Sequence, residues 1–528
     1  MLSKYIDHHK IYLFGLIALA VSLPLSLFTT SVAEIILISN WLLEGKFKQK
    51  WDIFRKRKSL WFIGSIYLVH LIGLIFTSNF DYALHDLKIK LPFLILPLVI
   101  GTTSEVTRKE LKWILVFFIG AITVSTLAST SVLFGIIPYE FHDTRQISLF
   151  VDHIRFSLLI NIAIFSIFYM LLGKGYKLKK PEFYLYVVVL IWLILFLGLL
   201  QALTGILVFM VTSFILFWMY LKEVRHLVLK WFLAVMVITV SFLVISYVTK
   251  AVDRFYSVEE VDPDKMDSTT SNGNPYTHIL DSKQIENGYY VWIYLCEDEL
   301  RKEWNKRSTF DFDGKDKLGQ DLRHTLIRYL TSKGFRKDSL GMSKLSANDI
   351  DFVENGIANY IYGRKYSLYP KLYEVIWQVD VFRRGGNPSG HSITQRILYL
   401  EAALGIISDH FWTGVGTGDV KDSFHDYYEK TNSQLDKSWR LRAHNQYLTF
   451  LLTFGIIGFL WILFSMVYPA FIEKKWADYL FIMFFIIGFL SMLNEDTLET
   501  HIGNSFFSFF YALFLLGTKV NSAKTERD

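Results

Sequence analysis

A chain of 528 residues that is 52% hydrophobic and 17% aromatic, with positive mean hydropathy, does not read as a single water-soluble domain. Its formal charge of +6 does not point to nucleic acid, because the Lys and Arg residues fall in short connections between apolar runs, where they signal membrane topology. The lone cysteine, Cys296, excludes an intramolecular disulfide and a cysteine-based metal cluster.

Lys4 and Lys10 precede the first apolar run, Ile11 to Phe28, and a second run, Val32 to Leu43, follows at once. The first run is therefore read as a retained anchor rather than a cleaved signal. Between them and the next run lies KFKQKWDIFRKRK, the densest positive stretch, which the positive-inside rule places in the cytoplasm. Further spans are predicted at Leu60 to Phe76, Leu91 to Gly101, Leu111 to Ile137, Ile154 to Leu172, Phe183 to Leu200, Thr204 to Leu221, Leu227 to Val248, Gln446 to Phe471, Tyr479 to Leu493 and Ile502 to Leu516. That makes about twelve, at about 20 residues each for a full crossing, with the second and fourth short enough to be tilted, re-entrant or broken.

Alternate counting puts Arg108 with Lys109, the lysines between 174 and 180, Lys222 with Arg225, Lys474 with Lys475 and the tail Lys519 to Arg527 on the cytoplasmic side. The opposite loops, Asn79 to Asp86, Pro138 to Asp152 and Asn494 to His501, carry few Lys or Arg. The predicted organisation is all-α: nine spans in 1–248, one large outer loop over 249–442, three spans in 443–518 and a cytoplasmic tail over 519–528. Within the loop, 262–369 is charged and mixed and reads as a helical insertion, whereas 370–442 carries amphipathic helices. Val375, Val379 and Phe382 share one helical face, Ile397, Leu400 and Leu404 share another, and Asn387-Pro388-Ser389-Gly390 breaks the helix between them. The second helix is expected on the membrane surface, since its stripe has no other obvious partner.

An ionisable group at membrane depth costs roughly 2.5 to 3.5 kcal/mol on insertion scales, so each one needs a reason. Lys88, Lys90, Asp152, His153, Arg155, Arg396, Arg442, His444, Glu495, Asp496, Glu499 and His501 all fall at the outer ends of the predicted spans. Taken singly, each is explained by snorkelling or helix capping; as a set, they are confined to one side. His444 and Asn445 stand at the mouth of an apolar helix that Gly455 and Gly458 thin, and an imidazole there can exchange protons near neutral pH. Arg396 offers a planar fork suited to phosphate oxygens, or a partner for Glu401 or Asp409. The Gly414-Val415-Gly416-Thr417-Gly418 turn lacks the Lys-Ser/Thr of a nucleotide cradle. His391, His410, His425, Asp409 and Asp419 match no zinc spacing, so no metal is expected. His70, inside an apolar span, reads as a packing or hydrogen-bonding residue.

His444-Asn445 followed by Gly455-x-x-Gly458 resembles the signature of the O-antigen ligase and O-antigen polymerase superfamily. The helix of Arg396, the GVGTGD turn and NEDTLETHIGNSFFSFFYALF are similar to the ligase branch, in the same order, and 262–369 looks like a lineage-specific insertion. The resemblance implies metal-independent, inverting glycosyl transfer at the periplasmic face of the bacterial inner membrane on a GT-C type scaffold, with no cofactor. Its implied donor is a glycan on undecaprenyl diphosphate and its implied ligase acceptor is lipid A-core, both presented among membrane lipids. The family's histidine falls on His444 and its loop arginine on Arg396. Its basic residue before the fourth span falls on Lys88 or Lys90, and its late acid on Glu495 or Asp496, with Arg442 and Asn445 beside them. Where the family places an arginine before a middle span, this chain reads LLQALTGIL with Leu203, and Arg155 on the neighbouring span is the candidate to take over that diphosphate contact. His444 is either a general base or a donor that orients the diphosphate.

Two other readings share this chemistry: a polymerase that extends the glycan on its carrier, and a protein O-oligosaccharyltransferase. A flippase or transporter is the reading from a different class. Transporters concentrate charge at the bilayer midplane and show paired halves, whereas here the charges gather at one boundary.

Overall fold

The computed structural model describes residues 7–139, 144–173, 178–221, 227–282, 284–363 and 369–518. The basic residues at 174–177 and 222–226 and the tail at 519–528, used above for sidedness, lie outside the described residues. The chain forms two compact units, one made of Met1–Arg225 with Asn387–Asp528, the other of His226–Gly386.

The first unit opens with α1 (His8–Ser22), α2 (Leu27–Glu44), α3 (Phe47–Lys56), α4 (Lys58–Ile72), α5 (Phe80–Thr102), α6 (Arg108–Leu133), α7 (His153–Leu171), α8 (Lys180–Leu200) and α9 (Leu203–Leu221). The second unit holds α10 (Leu227–Tyr256), the hairpin β1 (Ile285–Glu286) and β2 (Tyr289–Tyr290), α11 (Glu297–Trp304), α12 (Leu322–Ser332), α13 (Ser339–Ser343), α14 (Ala347–Glu354) and α15 (Tyr369–Arg383). The chain then returns to the first unit with α16 (Ser392–Asp409), α17 (Val420–Lys430), α18 (Gln446–Ile472), α19 (Tyr479–Asn494) and α20 (His501–Leu515). Among the described residues, 8 helices are long and apolar enough to cross a membrane: α2, α4 with its following turn, α6, α7, α8, α9, α10 and α18. The shorter apolar helices α1 and α19 join them, and the whole is a mainly helical, multi-pass membrane protein.

Three boundaries differ from the sequence expectation, each for a local reason. The first apolar run breaks after Ser22, and the Ser26 hydroxyl accepts the Thr29 amide to start α2. The basic stretch after α2 is itself a helix, α3. The fourth span is not the short Leu91 to Gly101 segment. Asn79 caps α5 at Phe80, so the expected loop Asn79 to Asp86 is mostly helical, and Asp86 and Lys90 stand one turn apart.

In the first unit α1 packs on α2 and α6, α5 on α20, and α4 on α18. α20 is buried from Ile502 to Leu515, at the centre of the bundle, and its polar Asn504 donates to the Ile89 carbonyl of α5. α16 has a packing partner that its sequence hid: Tyr399, Ala402, Ala403, Ile406 and Ile407 lie against Val420, Phe424 and Tyr428 of α17 and Leu452 of α18. The expected stripe Ile397, Leu400 and Leu404 is the exposed side. The alanines make the buried face thin, which lets α16 approach closely and made the opposite face look the more hydrophobic.

The second unit has its own core around Trp304, Phe312, Leu326 and Leu330. Its buried acids are fully partnered. Glu299 accepts from Thr270, Asn274 and the Ser339 amide, and Asp349 from Lys333, Tyr329 and Ser346. Burial alone would raise both carboxyls, yet these hydrogen bonds outweigh it and hold each at about 2.

Candidate functional site

The site is built around the start of α18. Asn445 caps that helix, its Oδ1 accepting the Leu448 amide at 3.1 Å while its Nδ2 donates to the Leu493 carbonyl at 2.9 Å. The side chain thus ties the head of α18 to the end of α19. His444, just before the cap, adopts φ 48, a left-handed conformation that is costly for a residue with a Cβ.

Glu495, immediately after α19, receives two partners. Arg396 Nη2 from α16 lies 3.2 Å from its Oε1, and His444 Nδ1 lies 3.9 Å from its Oε2. The carboxylate side chain is 9% exposed, whereas Arg396 and His444 keep 34% and 33% of theirs in the open. The Tyr399 ring stands 5.7 Å from the imidazole and backs it on one side. One fixed anion therefore orients a guanidinium and an imidazole, each with a free flank.

Next to this cluster the head of α18 and the segment after α19 join α5 in an interior ion network. Lys90 Nζ donates to Asp86 at 2.5 Å and to Glu499 Oε2 at 3.0 Å, and Arg442 Nη1 donates to the same Oε2 at 3.2 Å. Gln446 Nε2 donates to Glu499 Oε1 at 2.9 Å, and its own Oε1 accepts the Leu498 amide. Asp496 accepts from Thr449 at 2.7 Å and sits 3.7 Å from Arg442 Nε. Burial would raise Glu499, but the Lys90 ammonium and the Arg442 guanidinium outweigh it and hold that carboxyl below the usual carboxylate range. Burial dominates at Asp496 and raises it, against the pull of Arg442. A small cavity bordered by Tyr82, Lys90, Arg442, Glu499 and His70 has about 10 Å³ of free space, the room of roughly one water. His70 hydrogen-bonds the Ile66 carbonyl through Nδ1 and meets the Phe454 ring at 4.6 Å, a packing role as its sequence context suggested.

α18 is interrupted at Gly455, whose φ of 62 lies outside the helical region. The 411–418 segment fills the break: Val415 and Gly416 donate to the Leu452 and Thr453 carbonyls, and Ile456 donates to the Phe411 carbonyl. A Cβ at Gly455 would come within 2.3 Å of the Trp412 carbonyl oxygen, which is why the position is glycine. The amides of Gly414, Thr417 and Gly418 are also bonded, to His410, Gly73 and Thr77, so this turn has no N–H left for a phosphate. Asp419 accepts the Ser78 and Asn79 amides and locks the turn to the start of α5.

Of the residues predicted for the site, the structure brings together Arg396, His444, Asn445 and Glu495, and beside them Lys90, Arg442 and Asp496. Lys88 is exposed on α5. Arg155 pairs with Asp152 at 3.4 Å and keeps a buried Nε without a partner. Among the described residues no hydrogen bond or ion pair links Lys88 or Arg155 to the network. Sequence reading gave no role to Asp86, Gln446 or Thr449, and left Glu499 as one charge among several. The i, i+4 spacing of Asp86 and Lys90 was the available signal, hidden by the misplaced start of α5. Among the described residues no group of three or more His, Cys, Asp or Glu gathers as metal ligands.

These features define a multi-pass helical membrane protein with a carboxylate-held arginine and histidine over a buried ion network. Residues 357–463, which run from the end of the insertion through Arg396, the 411–418 plug, His444 and Gly455, match the model of the family described as O-Antigen ligase. The match supports membership of the O-antigen ligase-like superfamily and an O-antigen-related glycosyl transfer role. No curated protein matches the chain.

Proposed function

We propose that this protein transfers a glycan en bloc from undecaprenyl diphosphate to lipid A-core at the periplasmic face of the bacterial inner membrane, on a GT-C type scaffold. In this reading 249–442 is periplasmic, and no cofactor or metal takes part. The observation that carries the proposal is the convergence of Arg396 and His444 on the two oxygens of Glu495.

In the proposed reaction an acceptor hydroxyl attacks the anomeric carbon from the face opposite the diphosphate, and the carbon–oxygen bond to the diphosphate breaks with inversion. The diphosphate departs with its electron pair. Arg396, about a third exposed and held on one side by Glu495, meets that developing charge with a fixed cation, the arrangement that lowers such barriers most where water is scarce. His444 takes the hydroxyl proton, a general-base contribution of typically 10² to 10⁴-fold. Lys90 and Arg442 hold Glu499 and Asp496, and thereby the 495–499 segment that presents Glu495; direct contact of either with diphosphate requires a phosphate oxygen to replace a carboxylate partner. Lys88 and Arg155 are proposed to reach the diphosphate further from the reacting carbon.

Glycan analysis in a deletion strain tests the reaction. Loss of the proposed ligase leaves long glycan on the carrier and bare lipid A-core, reversed by wild-type protein. Accumulation of single repeat units on the carrier instead identifies a polymerase.

A further inference from the structure

α3 is the most basic of the described helices and its cations are of two kinds. Lys50 is buried, with Nζ 2.9 Å from Glu44 Oε2 and 4.7 Å over the Trp41 ring, and Arg57 just beyond the helix forks onto Glu473. Lys48, Arg55, Lys56 and Lys58 are exposed, and among the described residues no acid pairs with them. Helical spacing sets Phe47, Trp51 and Phe54 on one side of α3, with Lys48 and Arg55 along the margin beside Trp51.

Under that aromatic side, between α3 and the flanks of α4 and α5, lies an open cleft of about 660 Å³, within the ~300–1,000 Å³ of small-ligand sites. Trp51, Phe54 and Trp61 form a stacked wall, with ring centroids 5.5 and 5.2 Å apart, yet Trp51 and Trp61 remain 56% and 52% exposed. Gly64 lies on the floor, where an added Cβ would meet only Leu94 Cδ1, at 3.9 Å. The cleft is thus apolar, walled by aromatics and open; its one lining cation, Lys50, is paired with Glu44, while Lys48 and Arg55 flank Trp51 on the adjoining side of α3, with Asp52 between them along the helix.

We infer that this cleft binds an anionic phospholipid, an acyl chain lying along the Trp51–Phe54–Trp61 wall and the headgroup phosphate between Lys48 and Arg55. Charge complementarity selects the occupant: a zwitterionic lipid fills the same apolar space, but its own cation competes with Lys48 and Arg55 for the phosphate. The site lies on helices that carry none of the Arg396–Glu495–His444 cluster, so it stands apart from the proposed glycosyl transfer.

Native mass spectrometry of the full-length protein, titrated with phosphatidylglycerol or phosphatidylcholine, reads the site directly. Wild type retains one phosphatidylglycerol with a preference on the order of 10-fold over phosphatidylcholine. Lys48→Gln with Arg55→Gln brings the two lipids to parity. Gly64→Phe, and independently Leu68→Trp on the exposed wall, remove the retained lipid while the protein elutes as wild type. Equal retention of both lipids by wild type overturns the inference, as does undiminished phosphatidylglycerol retention in both cleft-filling variants, which would mean adsorption to the basic helix alone.

Discussion

Two neighbouring regions of the first unit use the same residue types to opposite ends. In the Lys90–Glu499–Arg442 network every cation faces at least one carboxylate, and Gln446 and Thr449 complete the acids' hydrogen bonding. In the Arg396–Glu495–His444 cluster one carboxylate serves two partners, each about a third exposed. Full pairing in the interior fixes geometry; partial pairing in the cluster leaves a guanidinium and an imidazole partly open. The ionisable residues of the two regions are thus sorted by how completely the fold pairs them rather than by their number.

Breaking the interior region gives the largest effect. Glu499→Ala leaves Lys90 and Arg442 facing each other without their shared anion, and a buried pair broken from one side costs about 3 to 5 kcal/mol. The yield of folded protein in the membrane and its melting temperature fall together. A variant that melts as wild type would show that the network does not hold the fold.

Next comes Glu495→Gln, which removes the anion shared by Arg396 and His444 and keeps the shape. Transfer drops about 10²-fold, the scale of a misplaced catalytic group, with melting unchanged. A fall in stability without a fall in transfer would reverse the assignment of the two regions. Gly455→Ala acts on the helix common to both: its φ of 62 and the nearby Trp412 carbonyl make it cost about 1 to 3 kcal/mol, read as a lower melting temperature and faster hydrogen exchange in 446–456.

The smallest effect uses the second unit as a reference for fully paired acids. Glu299 and Asp349 have folded values of about 2, below their usual 4.5 and 3.8, so the folded state binds fewer protons than the unfolded one between those values. Their stabilisation is complete above about pH 5 and is lost as pH falls through about 2. The hydrogen-exchange protection factors of 297–304 and 347–354 in the intact protein, taken against the intrinsic exchange rate at each pH, fall over that window, and Asp349→Asn flattens its share.

Much of this was legible in the residues themselves. Long apolar runs announced most of the spans, and the polar residues at their ends pointed to Arg396, Arg442, His444 and Glu495, which the fold brings near one another, because hydropathy and charge are written locally. The start of α5 was not, since Asp81, Asp86, Lys88 and Lys90 lower its hydropathy, and it is pairing within the fold that lets Asp86 and Lys90 be buried while Asp81 and Lys88 stay exposed. The exposed stripe of α16 was legible, but its packed face was not, because Ala402 and Ala403 pack by being small, not by being strongly apolar. Gly455 could be seen as thinning α18, but the 411–418 plug that bonds to the opened helix is a non-local fit that spacing does not reveal. Glu495 as the shared anchor of Arg396 and His444 likewise depends on three separated segments meeting.

The most direct test is transfer by purified protein given polyprenyl-diphosphate glycan and lipid A-core, with and without a chelator, comparing wild type with His444→Ala and Arg396→Ala. Chelator-resistant transfer by wild type, with a fall of at least about 10² in either variant at unchanged melting temperature, is the predicted result. Transfer at the wild-type rate in both variants would contradict the site.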